Sequence, residues 1–141
     1  MALKIKKNIL SIIDANINRT KEGLRVIEDI IRFVYKNKKI LSKIKNIRHS
    51  IDNIMYDLTP EYKKLLYNRN SLSDTGRKIK NKEEFKRENL LDILIANFKR
   101  TEESLRVLEE ISKILNKSCA IKLKDLRYNV YEIEKKIVLN I

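Results

Sequence analysis

The sequence predicts an all-α fold in which two αα-hairpins form an antiparallel helical bundle with internal pseudo-twofold symmetry. Its composition is the first reason: the 141 residues include two Gly, one Pro and no Trp, which disfavours loop-rich and all-β folds. Apolar residues also recur at the i, i+3, i+4, i+7 spacing of amphipathic helices along four long stretches. Finally, the chain repeats itself at a nearly fixed offset, as expected for two related hairpins.

The first hairpin is predicted over residues 5–58. Its first helix runs from Ile5 to about Tyr35 along one apolar stripe, and its second runs from Ile40 to Leu58. Thr59 and Pro60 end the second helix, because proline disfavours helical backbone in the residue before it. Proline also suits the first turn of a helix, so a short helical piece is expected over residues 61–68.

The second hairpin is predicted over residues 82–141, and the whole chain forms a single domain. Residues 59–81 connect the two hairpins, and residues 69–81 read as a polar loop rich in Asn, Ser, Asp and Gly. A third long helix is predicted from Lys82 to Leu115. A fourth follows from Cys119 to about Leu139.

The repeat is clearest where residues 15–29 read nearly the same as residues 96–110, at an offset of 97 − 16 = 81. The second helices match as well, because residues 43–49 resemble residues 122–128 at an offset of 127 − 48 = 79. Core packing accepts any apolar residue of similar volume and does not require polar residues to repeat. The repeated polar residues are therefore candidates for a site.

Two repeated amides fall inside apolar stripes. Asn16 projects into the stripe of the first helix, and Asn97 does the same in the third. Each stripe edge carries a cation and a small residue, which are Arg19 and Gly23 in one copy and Arg100 and Ser104 in the other. A buried amide needs hydrogen-bond partners. Two interpretations stay open, a polar pocket that binds a heterocycle or phosphate and an internal network that fixes helix register.

Two arginines also fall inside apolar stripes, Arg48 in the second helix and Arg127 in the fourth. A guanidinium there must pair with a carboxylate or with a bound anion. Counting residues back from each turn places Glu28 opposite Arg48 and Glu109 opposite Arg127. We expect structural ion pairs, with direct binding of a ligand phosphate by Arg48 and Arg127 as the alternative.

The connecting loop combines charged, hydroxyl and glycine residues. Arg69 and Arg77 flank Asp74, Thr75 and Gly76. A backbone amide, a hydroxyl and guanidinium groups suit a phosphate, and an Asp carboxylate suits Mg²⁺. The pattern is common in loops and is weak by itself.

The formal net charge of +13 has two interpretations. One is attraction to nucleic acid or to small phosphorylated ligands, and the other is a solvated surface rich in lysine. A single Cys and the lack of a secretory leader or a membrane span favour the reducing cytoplasm. The sequence leaves open whether the chain forms a homodimer.

Three motifs together resemble one protein family. They are AsnxxArgxxxGlyLeuArgValxGluAsp at residues 16–29, ArgAsnSer…AspThrGly at 69–76 and AlaAsnxxArgxxxSerLeuArgValLeuGluGlu at 96–110. The family is the hydroxymethylpyrimidine phosphate kinase family, a small helical domain found alone or fused ahead of thiamine phosphate synthase. The resemblance runs from Ile13 to Ile133. The family commonly has AspValGly where this chain has AspThrGly.

The resemblance implies a stand-alone kinase that uses ATP and Mg²⁺ to convert 4-amino-5-hydroxymethyl-2-methylpyrimidine phosphate to the diphosphate in thiamine biosynthesis. Positioning and cationic stabilisation dominate such phosphoryl transfer. The implied roles are as follows: Arg19, Arg69 and Arg100 bind phosphates, Asp74 with Glu22 or Glu103 binds Mg²⁺, Thr75 and Gly76 cradle a phosphate, and Asn16 or Asn97 reads the pyrimidine. Arg19, Asp74 and Arg100 are the residues expected to be catalytic.

Two other functions compete with the kinase. One is a module without catalysis that carries the pyrimidine phosphate or docks to thiamine phosphate synthase. The other is a basic helical protein that binds nucleic acid, which requires Lys and Arg concentrated on one face. The repeated arginines instead project towards the bundle. The sequence leaves open which copy of the repeat forms the site.

Overall fold

The computed structural model describes residues 2–59 and 61–140, apart from the side chains of residues 2–5 and 84. Pro60, predicted to stop the second helix, lies outside the described residues. The helices are α1 Ala2–Ile30, α2 Lys38–Leu58, α3 Tyr62–Asn68, α4 Leu90–Leu115 and α5 Lys117–Leu139. A π-helical turn, Ile31–Tyr35, continues α1, and a 3₁₀ turn spans Lys82–Phe85.

The described residues contain no strand, so the predicted all-α bundle is confirmed. Within these residues we find no helix with the length and apolar character needed to cross a membrane. The pseudo-twofold symmetry and the division into two hairpins joined by residues 59–81 stay predictions.

Asparagine caps set the starts of α2 and α5 two residues before the predicted positions. The Asn37 side chain accepts a hydrogen bond from the Ile40 amide at 3.0 Å, and the Asn116 side chain accepts one from the Cys119 amide at 3.2 Å. Each bond satisfies an amide that has no partner inside its helix. The first helix, predicted as one α-helix to Tyr35, changes to π geometry at Ile31.

The predicted start of the third helix at Lys82 is wrong. Residues 86–89 are not helical, and α4 begins at Leu90. The Asn89 side chain accepts a hydrogen bond from the Asp92 amide at 2.9 Å, while Asp92 accepts one from the Glu88 amide at 3.1 Å. These two side-chain bonds to backbone amides fix the boundary. Phe85, whose position continues the apolar spacing of this stretch, is exposed.

Helices α1 and α4 cross closely at the centre of the bundle. The Thr20 and Ser104 hydroxyls are 2.6 Å apart. A Cβ added at Gly23 would lie 2.5 Å from Thr101 Oγ1 and 3.1 Å from the Asn97 carbonyl oxygen. Gly23 therefore allows helix approach rather than making room for a ligand. The largest fully buried apolar residues of these two helices are Phe98, Ile13, Leu24, Ile27, Leu94, Leu105 and Leu108.

The two predicted ion pairs are both present. Arg48 Nη1 lies 3.3 Å from Glu28 Oε2, and Arg127 Nη2 lies 3.1 Å from Glu109 Oε1. Glu28, Glu109 and Arg127 are buried. Arg127 also donates to the Tyr131 hydroxyl at 3.2 Å, and its pKa is raised by these bonds against the opposing effect of burial. The structure thus assigns both arginines structural partners within the chain.

Candidate ligand-binding cleft

A polar cleft of about 900 Å³ opens between α1 and the segment that follows α3. One wall is α1, which contributes Asp14, Asn16 and Arg19. The other wall is the segment from Asn68 to Thr75, called the cleft wall below; Val107 of α4 also lines the cleft. Five residues predicted from the sequence come together here, namely Asn16, Arg19, Arg69, Asp74 and Thr75.

An ion pair and a hydrogen bond fasten the cleft wall to α1. Arg69 donates from Nε to Asp14 Oδ2 at 2.7 Å and from Nη2 to Asp14 Oδ1 at 2.6 Å. Hydrogen bonding to Asp14 raises the pKa of Arg69 above its ordinary value, so the guanidinium stays charged. Ser11 Oγ donates to the Asn68 carbonyl at 3.2 Å. Arg69, predicted to bind phosphate, therefore has a structural partner as well.

Sequence reasoning missed the role of Asp14. Asp14 is 6% exposed and follows Ile13, a fully buried residue of the apolar stripe of α1. No cation stands three or four residues away along the helix, because positions 10, 11, 17 and 18 are Leu, Ser, Ile and Asn. A buried carboxylate without a local partner requires a distant cation. That requirement was the available signal.

Asn16 and Arg19 form a connected pair on the α1 side of the cleft. Asn16 is buried, and its Nδ2 donates to the Ile12 carbonyl at 2.8 Å. Arg19 Nη1 donates to Asn16 Oδ1 at 3.3 Å, while the Arg19 side chain is exposed to the cleft opening. Asn16 retains one amide hydrogen and one lone pair, and most of the five Arg19 donors stay available for a ligand.

The Asn97–Arg100 pair of the second copy lies outside the cleft. Asn97 Nδ2 donates to the Ile93 carbonyl at 2.8 Å, as Asn16 does to Ile12. Arg100 is exposed, and its Nη2 lies 3.7 Å from Glu22 Oε2. Of the two repeated Asn–Arg pairs, Asn16–Arg19 lines the cleft and Asn97–Arg100 does not.

The loop side chains accept hydrogen bonds mainly from backbone amides of their own turns. Asp74 Oδ1 accepts a hydrogen bond from the Gly76 amide at 2.8 Å, and Asn70 Oδ1 accepts one from the Ser73 amide at 3.2 Å. The predicted phosphate cradle therefore needs correction at Gly76, whose amide is already bonded and which does not line the cleft. Gly76 has no positive φ, so its backbone does not require glycine.

The three carboxylates predicted to hold Mg²⁺ are separated. Asp74 lines the cleft, Glu22 pairs with Arg100, and Glu103 is exposed on α4. Across residues 2–59 and 61–140 no group of three or more His, Cys, Asp or Glu side chains could hold a metal ion. The ATP and Mg²⁺ implied by the resemblance stay predictions.

Comparison with known proteins places the chain in a family. Residues 11–136 match the model of the ThiD2 family. A thiamine-phosphate synthase of Nostoc punctiforme is 34% identical over 135 residues, which cover 96% of this chain and 37% of that protein. Thiamine-phosphate synthases of Prochlorococcus marinus and Synechocystis sp. are 37% identical over 128 residues and 35% identical over 126. These matches cover 91% and 89% of this chain, and 35% of each relative.

The chain spans about a third of the length of the curated relatives it matches. No solved structure matches. These relatives correct the predicted activity, because each is named thiamine-phosphate synthase and none of them is named a hydroxymethylpyrimidine phosphate kinase. The stand-alone kinase assignment is therefore wrong on these comparisons. The match over 126 consecutive residues (136 − 11 + 1) shows that the chain belongs to the ThiD2 family.

Proposed function

We propose that this chain is a ligand-binding helical module of thiamine biosynthesis, which holds a phosphorylated pyrimidine in the cleft and acts together with thiamine-phosphate synthase. One observation carries the proposal: Arg19 is connected to the buried Asn16 within a polar cleft of about 900 Å³. Its pathway and its partner are supported by the relatives, which contain a matching domain and are named thiamine-phosphate synthase.

The cleft chemistry suits a phosphorylated aminopyrimidine in two respects. Amide side chains can donate to a ring nitrogen and accept from an exocyclic amine, and Asn16 and Asn18 both line the cleft. Arg19 can donate to phosphate oxygens through a charge-assisted pair. The Asp14–Arg69 ion pair holds the opposite wall in place before the ligand arrives, which lowers the entropy cost of binding.

Calorimetric titration with 4-amino-5-hydroxymethyl-2-methylpyrimidine phosphate tests the ligand. The repeat offers a matched control, because Arg100 is the counterpart of Arg19 and lies outside the cleft. Loss of a charge-assisted hydrogen bond costs about 1.5–3 kcal/mol, so Arg19→Gln should weaken binding by roughly 10- to 100-fold. Arg100→Gln should leave the affinity within about twofold. Equal losses in both variants would contradict the assignment of the cleft.

In the proposed role the module binds its ligand without catalysing a reaction, and a second measurement tests this point. The protein, incubated with Mg·ATP and the pyrimidine phosphate, should form no ADP above the rate without protein. Formation of ADP that depends on the pyrimidine phosphate would reject a purely ligand-binding role.

The partner is tested by sedimentation velocity of this chain mixed with a thiamine-phosphate synthase that lacks a fused helical domain. We expect a complex that sediments faster than either protein alone, and we expect the pyrimidine phosphate to strengthen it. If the two proteins sediment independently while the pyrimidine phosphate is present well above its measured dissociation constant, the docking part of the proposal is removed.

A further inference from the structure

A second cavity lies between the start of α2 and the end of α5. It measures about 400 Å³ and is lined by Lys39, Lys43 and Lys136. Buried Ile40 and Ile137 also line this cavity. Among the described residues that line it there is no Asp or Glu, so its polar surface is cationic or neutral.

The cavity continues along the groove between α2 and α5. An adjoining space of about 450 Å³ shares Lys43 and Lys136 with the first. Its other polar residues include the amides Asn46 and Asn129 and one carboxylate, Glu132. We call the two spaces together the lysine groove. Three lysines outnumber its one carboxylate, and the amides add uncharged donors.

The charges of the lysine groove repel one another. Charge repulsion from Lys136 lowers the pKa of Lys43, and burial and repulsion from Lys39 lower it further by smaller amounts. The helix dipoles do not decide the local potential, because the positive end of α2 and the negative end of α5 meet at the same cavity. The ammonium groups therefore set the sign, and a bound anion would relieve their repulsion.

We propose that the lysine groove is an anion-binding site, separate from the cleft on α1, that takes the phosphate or diphosphate group of a small molecule. Lysine binds phosphate as a compact point charge with three donors, and two adjacent ammonium groups match a diphosphate better than a single negative charge. The cavity of about 400 Å³ is in the size range of small-molecule sites. Its apolar floor allows a substituent on the phosphate to be buried.

The test is a calorimetric titration of the full chain with inorganic pyrophosphate at fixed ionic strength. The double variant Lys43→Gln/Lys136→Gln should weaken pyrophosphate binding by about tenfold or more. The control variant Lys45→Gln/Lys124→Gln also removes one positive charge from α2 and one from α5. Because neither Lys45 nor Lys124 lines the groove, the affinity should stay within about twofold.

An NMR titration supplies a local readout. Pyrophosphate should shift the amide signals of the two segments that line the first cavity, residues 37–43 and 136–140, and should raise the measured pKa of Lys43. Equal weakening by the two double variants, or shifts confined to the cleft on α1, would overturn the proposal. So would tight binding of a single-stranded oligonucleotide that the groove variant abolishes while pyrophosphate itself does not bind. The Arg19→Gln variant should keep the groove signals, so this test is independent of the cleft.

Discussion

The carboxyl pair of buried Glu102 and half-buried Glu134 should make stability depend on pH in an unusual direction. Glu102 is 3% exposed, and Lys99 Nζ lies 3.2 Å from Glu102 Oε1 and 2.8 Å from Glu134 Oε1. The remaining oxygen of each carboxyl group, Oε2, is buried and has no hydrogen-bond partner among the described residues. One ammonium group therefore serves two carboxyl groups, which favours a proton on the pair at neutral pH.

Burial raises the pKa of Glu102 to about 7, Lys99 opposes the rise, and the Glu134 carboxylate adds to it. The folded protein therefore binds this proton below about pH 7, whereas the unfolded chain binds it only below about pH 4.5. The resulting stabilisation is complete below about pH 4.5 and is lost as the pH rises through 7. Because about 2.5 pH units separate the two values, the contribution is at most about 3 kcal/mol.

The perturbation is Glu102→Gln, which keeps the shape and fixes the side chain in a neutral form. The variant should exceed the native chain in unfolding free energy by less than about 1 kcal/mol near pH 5, and by up to about 3 kcal/mol near pH 8, reduced by the lost pairing with Lys99. Urea unfolding followed by far-UV circular dichroism measures both values. Exposed Glu103 provides the control, since Glu103→Gln should change stability by less than about 0.5 kcal/mol at either pH.

The comparison of each variant with the native chain cancels the titration of all other carboxylates. A difference between Glu102→Gln and the native chain that is constant from about pH 5 to pH 8 would refute the reasoning. A native chain that is more stable than the variant near pH 8 would also refute it, because Lys99 would then compensate fully for burial of the charge.

Three further substitutions test the packing and the cleft. Glu109→Gln leaves Arg127 buried without its carboxylate and should lower the unfolding free energy by about 3–5 kcal/mol in urea; a loss below 1 kcal/mol would show that water replaces the pair. Gly23→Ala should cost about 1–3 kcal/mol despite its better helix propensity, and the cost should shrink in a Thr101→Ala background. No difference between the two backgrounds would argue against a steric cause. Asp14→Asn should speed hydrogen exchange in the cleft wall and weaken pyrimidine phosphate binding by about tenfold, since one charge-assisted pair is lost. Unchanged exchange would show that the wall is held without the ion pair.

The ion pairs within the hairpins could be predicted from sequence because short-range geometry determines them. Helical periodicity gives the face of each residue, and the distance from the turn gives its height along the hairpin. Glu28 and Arg48 satisfy both conditions, as do Glu109 and Arg127. The Asp14–Arg69 pair spans 55 residues and ends in an irregular segment, where neither rule applies.

Helix starts were harder to predict because apolar periodicity and capping compete at each boundary. Phe85 continues the apolar spacing of the third stretch, yet the side chains of Asn89 and Asp92 cap the helix start four residues later. The cap satisfies two backbone amides directly, while burial of Phe85 would need a neighbouring surface to cover it. In the structure Phe85 stays 73% exposed, so the cap outweighs the pattern.

The sequence left open which copy of the repeat forms the site, whereas in the structure only the Asn–Arg pair of the first copy lines the cleft, and two sequence differences account for this. The counterpart of Asp14 is Ile95, because 14 + 81 = 95. Ile95 cannot accept hydrogen bonds from a guanidinium, so α4 has no anchor for a polar segment at this position. The counterpart of Ser11 is Asp92, which is already engaged in the cap of its own helix. Asn97 and Arg100 thus keep the motif but lack the second wall that turns a helix face into a cleft.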